Sequence, residues 1–324
     1  MTAPPHRSSA VFILALTAVS SGVSFVVTKA SLQAQGPLMA GETSWALAAV
    51  NMAPQFVLGV LLLVALRGPG VLRLSGRDWR QAAFMACTSF SGCLLQLDGL
   101  QYTTASVTAF LTQFFVILLP IWTALLHRRL PGPMVWVAGL LVLAGVAVLA
   151  QLDWRTFHLG RGETEVLLAA VFFSLTLFAL NWPGSTGNRP EHTAAGMFTL
   201  EAGLFAITSF VVCRDPAGLR APFHSPVWIS LITTAAIIGT VGPFILMVRW
   251  QRVITATEAG LIYCLSPVFA ALGGLFLPGE IARWTGITYV NETAGRPLII
   301  GGLLILSANA LIQLRPEPPP KSAG

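Results

Sequence analysis

Apolar residues run in blocks of about 20, the length a helix needs to cross a bilayer, and charged residues fall almost wholly between the blocks. A charge at the bilayer centre costs about 2.5 to 3.5 kcal/mol even on the most lenient scale, so the charges punctuate the spans. The pattern predicts ten membrane-spanning helices, near residues 10–31, 43–66, 81–99, 104–126, 133–152, 164–182, 194–213, 227–248, 256–277 and 297–314. Arg7 and the apolar run from Val11 imitate the start of a cleaved signal peptide. The run continues through Phe25, Val26 and Val27, however, and is read as the first span.

Composition agrees with this pattern. Of 324 residues, 55% are hydrophobic and only 10% charged, whereas a soluble domain carries roughly 25% charged residues. A polar surface for a water-soluble fold cannot be assembled from so few charges. The net charge of +6 sits in short clusters with no continuous basic stripe, which argues against a nucleic-acid partner. Basic loops are retained in the cytoplasm, and counting them predicts an inner (plasma) membrane protein with both termini cytoplasmic. Arg67, Arg73, Arg77 and Arg80, Arg128 and Arg129, Arg189, and Arg249 and Arg252 then lie inside, with Arg155, Arg161, Arg214, Arg220, Arg283 and Arg296 outside. Cys87, Cys93, Cys213 and Cys264 have no metal or redox spacing and read as small packing residues.

The two halves resemble each other. Thr104-Ala105-Ser106 opens the fourth apolar run and Thr255-Ala256-Thr257 the ninth, while Gly139-Leu140-Leu141-Val142-Leu143 in the fifth answers Gly302-Leu303-Leu304-Ile305-Leu306 in the tenth. An odd number of spans per half inverts the second half in the membrane, and inverted repeats are a secondary-transporter signature. The predicted fold is therefore all-α, ten helices as two inverted five-helix repeats, residues 1–153 and 154–324, the second ending in a disordered proline-rich tail.

Further motifs are Tyr102-Thr103, Ala109-Phe110-Leu111-Thr112, Glu258-Ala259, Ser266-Pro267-Val268-Phe269-Ala270 and Gly279-Glu280. With the repeat, they make the chain resemble the EamA-like family of the drug/metabolite transporter superfamily over nearly its whole length. The resemblance implies one central cavity, lined mainly by helices one, three, four, six, eight and nine. The chain departs from the family at His127-Arg128-Arg129, where Gly-Glu is frequent, and at Ser21-Gly22, where Trp-Gly is common. The stretch from Ile281 to Arg296 lengthens the last outward loop.

Polar residues inside spans are the candidates for chemistry. Lys29, with Ser24 one turn before it, falls in the predicted last turn of helix one, either snorkelling to the outer interface or offering a cation at the cavity mouth. Gln96 and Asp98 stand at the outward end of helix three, where exposure to water is expected. Gln113 and Tyr263 are the best candidates for substrate contact on helices four and nine. Glu201 lies roughly 10 Å inside helix seven at about 1.5 Å per residue, and is the proton-coupling candidate unless it reaches the interface or pairs with Arg189. Glu258, three residues after Thr255, has the spacing of a capping box. Pro54, Pro120, Pro243 and Pro267 within spans predict kinks.

The function predicted is secondary transport of small metabolites, amino-acid-like or amphipathic compounds, as exporter or exchanger, with no cofactor and with protons as the candidate coupling ion. The rival is a membrane enzyme acting on lipid or lipid-linked substrates. All five histidines fall in loops or tails, and Asp98 is the one aspartate near a span, so neither a Ser/His site nor an aspartyl pair can be assembled in the bilayer.

Overall fold

A computed structural model describes residues 7–126, 128, 133–149, 159–180, 188–215, 218–250 and 262–313. Among them the chain is helical apart from turns and short connections. In chain order the helices are α1 (Arg7–Gln35), α2 (Ser44–Arg67), α3 (Gly76–Tyr102), α4 (Ala105–Thr112), α5 (Phe115–Leu126), α6 (Pro133–Leu149), α7 (Arg161–Leu180), α8 (Pro190–Val212), α9 (Pro226–Ala235), α10 (Gly242–Trp250), α11 (Ser266–Thr285) and α12 (Arg296–Gln313). Among the described residues six segments are long and apolar enough to cross a membrane, namely Ser8–Met39, Ser44–Arg67, Ala105–Trp122, Arg161–Ala179, Pro190–Val212 and Pro226–Met247. The ten expected spans are thus not all met on length and apolarity. Helix α3 is long, but Arg77, Asp78, Arg80 and Asp98 make it too polar to qualify, and α6 belongs with the shorter apolar helices.

Local chemistry sets several boundaries away from the predicted ones. Helix α3 starts five residues early because Ser75 and Asp78 form a reciprocal cap, with Asp78 N–H donating to Ser75 Oγ (3.2 Å) and Ser75 N–H to Asp78 Oδ2 (2.9 Å). Helix α11 continues past Pro278 to Thr285 and ends at Gly286, whose φ of +74° is the left-handed conformation that lets a chain leave a helix abruptly. Pro267 falls in the first turn of α11, where the missing amide is not needed, so it begins a helix rather than kinking one, whereas Pro243 lies directly after the π-helical segment Ala236–Val241 inside the unbroken helical run from Pro226 to Trp250. Pro54 and Pro120 do lie inside helices.

Three predicted helices are interrupted. The fourth breaks at Gln113–Phe114 into α4 and α5, and the eighth carries a π-helical segment, Ala236–Val241, between α9 and α10. The chain breaks again at Cys264–Leu265, immediately before α11. The expected cap at Thr255 and Glu258 lies outside the described residues, as do the tail from Arg315 and the side chain of Arg249.

The principal packings are α3 on α7, α6 on α12, α2 on α8, α1 on α11, and α1 on the α9–π–α10 unit. Small residues bring the backbones together. A Cβ at Gly22 of α1 would lie 2.3 Å from the Ser266 carbonyl oxygen of α11. Gly145 and Gly301 oppose one another where α6 crosses α12. The larger apolar core runs through α1, α2, α3 and α8, and a smaller one joins α4, α5, α6 and α12.

Candidate functional site

Helix α4 is polar on its buried side. Ser106, Thr108, Thr112 and Gln113 are all buried, and among the described residues Ser106 Oγ, Thr108 Oγ1 and Gln113 Oε1 have no hydrogen-bond partner. In a medium without water such groups each cost free energy, so they mark either an internal aqueous space or a place where a solute supplies the partner. Tyr263, just before the second break, is half-buried and its hydroxyl is likewise unpartnered. Gln113 and Tyr263, predicted separately as substrate contacts, therefore both stand at interruptions of helices with their polar atoms unused. Each break is closed by short-range backbone bonds: Val116 N–H donates to the Gln113 carbonyl and Val268 N–H to that of Leu265, both 3.0 Å.

Gln96 joins the α4 group from α3, its Nε2 donating to Thr112 Oγ1 (2.8 Å). Lys29 approaches from α1. That helix runs to Gln35, so Lys29 lies well before its end rather than in its last turn, and its ammonium donates to the carbonyl oxygen of Thr103, the residue that ends α3. The cation thus turns inward instead of snorkelling. Ser24 is buried against the π-helical segment, where a Cβ at Gly239 would come within 2.7 Å of its Oγ, and its hydroxyl donates to the Ser21 carbonyl (2.7 Å). It sits in a tight helix contact.

Asp98 does not meet the expectation of a water-exposed rim. It is fully buried and forms an ion pair with Arg161 at the start of α7, whose Nε also donates to Glu165 Oε1 (2.8 Å). The Arg161 guanidinium stacks 4.3 Å from the Tyr102 ring centre and donates to its hydroxyl. The α3–α7 contact is close enough that a Cβ on Gly99 would lie 2.7 Å from the Gly162 carbonyl oxygen. The sequence puts Arg161 in an outward loop, whereas the structure sets it at the start of α7 against Asp98.

Glu201 is fully buried midway along α8, about 16 Å from Pro190 at 1.5 Å per residue. Among the described residues no cation pairs with it and Ser89 of α3 is the hydroxyl beside it, so neither the interface nor Arg189 accounts for its placement. On its own helix face lie Phe198 and Phe205, which pack with Phe56, Phe90 and Phe244, and across from it on α3 are Ser89 and Cys93.

The last connection, Gly286–Gly295, folds back over this region. Tyr289 is buried in the larger core, Glu292 N–H donates to the Gly274 carbonyl (2.8 Å), and Asn291 Oδ1 accepts from Gly279 N–H (2.7 Å). Burial pushes the Tyr289 hydroxyl above the usual phenol range. On the same end of the bundle Glu42 accepts from the backbone amides of Arg214 and Asp215 (both 2.8 Å), and these bonds hold its carboxyl below the ordinary range. At the other end an open cleft of about 520 Å³ is lined by Arg67, Arg73, Arg189, Glu191 and His192. It belongs to the connecting loops rather than to the polar interior.

Comparison with known proteins gives this arrangement a context. A solved crystal structure shares the fold, with a TM-score of 0.59 over 94% of this chain and 96% of its own at 18% identity. An uncharacterized transporter of Archaeoglobus fulgidus is 25% identical over 315 residues, 93% of this chain and 85% of that protein. Residues 8–151 match the family described as the EamA-like transporter family.

Proposed function

Since residues 8–151 match the EamA-like transporter family, we propose that this multi-pass membrane protein is a secondary transporter built as two inverted five-helix repeats. Its substrate is a small, unphosphorylated solute, amino-acid-like or amphipathic, held at the level of the helix breaks and moved by alternating access as an export or exchange reaction. One observation carries this reading. Gln113–Phe114 and Cys264–Leu265 are separated by the same spacing as Thr104 and Thr255, so the two interruptions fall at the same distance beyond the matching Thr-Ala-Ser and Thr-Ala-Thr runs of the sequence. Secondary transporters bind solute where helices are interrupted at the junction of two repeats, and at both interruptions here a buried polar atom, Gln113 Oε1 or the Tyr263 hydroxyl, lacks a hydrogen-bond partner among the described residues.

The packing supports the repeat. Exchanging the halves turns α3 on α7 into the α9–α10 unit on α1, and α1 on α11 into α7 on α4–α5. It returns α2 on α8, α6 on α12 and α4 on α11 to themselves, and each of these contacts is present.

The absence of phosphate from the substrate follows from charge. Phosphate recognition calls for several convergent cations. Arg161 is held by two carboxylates, which among the described residues leaves Lys29 as the cation beside the polar interior. A ligand-induced thermal-shift screen of the purified protein identifies binders, since a ligand stabilises by mass action whatever the mechanism. Counterflow in proteoliposomes, using matched pairs such as a sugar and its phosphate ester, then tests transport. The unphosphorylated member is expected to exchange saturably, with KM raised by Gln113→Leu and Tyr263→Phe. Exchange of the phosphorylated member alone, or no saturable exchange of any binder, rejects the reading.

A further inference from the structure

The N-terminus of α4 already has its own cap, Thr104 Oγ1, which accepts from Val107 N–H (3.1 Å). The next two amides are nevertheless occupied by a carboxylate from far along the chain. Glu292 Oε1 accepts from Ala105 N–H (2.8 Å) and lies 3.4 Å from Ser106 N, with Oε2 also 3.4 Å from Ser106 N. Lys29 is near enough to interact electrostatically with this carboxylate but is not in ion-pair contact with it, its ammonium being turned to the Thr103 carbonyl. Ser106 Oγ, fully buried and without a partner, points to the same spot: a Cβ built on Gly274 would meet it at 3.0 Å and Glu292 Oε2 at 2.8 Å. The buried Tyr289 hydroxyl, also unpartnered, is close enough to interact electrostatically with Glu292.

These groups make a seat for one carboxylate: two helix-end amides, a hydroxyl that lacks an acceptor, and a lysine alongside. The carboxylate now in it belongs to Gly286–Gly295, the stretch by which this chain departs from the family pattern. We infer that Glu292 is a tethered stand-in for a substrate carboxylate, and that a carboxylate-bearing solute binds on the Ala105 and Ser106 amides beside Lys29 when this connection lifts away. The inference rests on the transporter reading for its purpose and narrows the solute to one carrying a carboxylate. Tethering makes Glu292 a competitor whose occupancy lowers the apparent affinity for any free carboxylate by the fraction of time the seat is open.

The test uses acetate and benzoate against acetamide and benzamide, at constant ionic strength, with thermal shift of the purified full chain as readout. In Glu292→Ala the two carboxylates are expected to bind about tenfold more tightly than in wild type, as for a seat filled nine-tenths of the time. The amides should show no gain, and adding Lys29→Gln should remove most of it. Glu292→Gln, which keeps an oxygen on the α4 amides without the charge, guards against loss of folding and should give the same preference at smaller size. No carboxylate preference in either variant, or a preference indifferent to Lys29→Gln, overturns the proposal and leaves Glu292 a cap of α4. Counterflow of the same carboxylates separates the two readings. Binding without exchange keeps the seat and rejects transport, whereas saturable exchange of uncharged solutes that carboxylates do not inhibit keeps transport and rejects the seat.

Discussion

Asp98 and Glu201 are both fully buried carboxylates, yet their surroundings assign them opposite tasks. Asp98 is neutralised by Arg161 and ties α3 to α7. Removing one member of such a pair strands the other, and the penalty falls on the buried member. Arg161→Ala should therefore destabilise the detergent-solubilised protein by roughly 2–3 kcal/mol, less than for a fully buried pair because Arg161 is half-exposed, and by more than Asp98→Asn. Thermal unfolding of both variants checks the order; an equal or smaller loss for Arg161→Ala would show that the pair does not tie the helices. Glu201 has no such partner, and a charged carboxylate held among phenylalanines costs several kcal/mol. That cost is the physical reason to regard it as a proton carrier. If an imposed pH gradient drives Glu201→Gln proteoliposomes as well as wild type, coupling runs elsewhere; the expected result is that the mutant keeps exchange and loses the pH-driven component. The depth of Glu201 was legible in the sequence because one carboxylate interrupts a long apolar run. The Asp98–Arg161 pair was not, because its members stand on different helices and their meeting depends on how α3 crosses α7.

At the level of the helices, apolar run length revealed that elements exist but not where they break. Nothing in Phe110-Leu111-Thr112-Gln113-Phe114-Phe115 forbids a continuous helix, since no glycine or proline stands there. The interruption is a tertiary outcome, visible in advance only as the polarity of Thr112 and Gln113 in an apolar run. Glycines behave similarly. Gly139 and Gly145 both lie on α6 and look alike in sequence, but a Cβ on Gly139 meets nothing within 4 Å. On Gly145 it would sit 2.7 Å from Ile305 Cγ1 and 2.9 Å from the Gly301 carbonyl oxygen. Gly139→Ala should leave stability unchanged or raise it by up to about 1 kcal/mol. Gly145→Ala forces α6 and α12 apart and should cost about 1–3 kcal/mol, which denaturation of the two purified variants side by side will read. Equal effects would mean that the α6–α12 crossing is not held by backbone proximity.

For the molecule as a whole, arginine placement gives a strong expectation. Both termini should be cytoplasmic. A C-terminal alkaline phosphatase fusion is therefore expected to be inactive and a green fluorescent fusion bright; phosphatase activity in the periplasm would reverse the topology and exchange the two faces assigned above. The matching runs of the two halves are legible because they are written twice in the sequence, whereas the Glu292 contact is not, since the connection that carries it has no counterpart in the first half. The main packings carry a consequence for biosynthesis. The contacts α1 on α11, α2 on α8, α3 on α7 and α6 on α12 each join an early helix to a late one. The early helices thus enter the bilayer before their partners have been translated, by an interval that runs from a few seconds for α3 and α7 to some tens of seconds for α1 and α11 at roughly 5–20 residues per second. Throughout it the glycine faces of α1 and α6 have only lipid or the insertion machinery against them. A ribosome stalled between the halves would release a degradation substrate, while a gene cut there into two co-expressed pieces keeps every one of these contacts available.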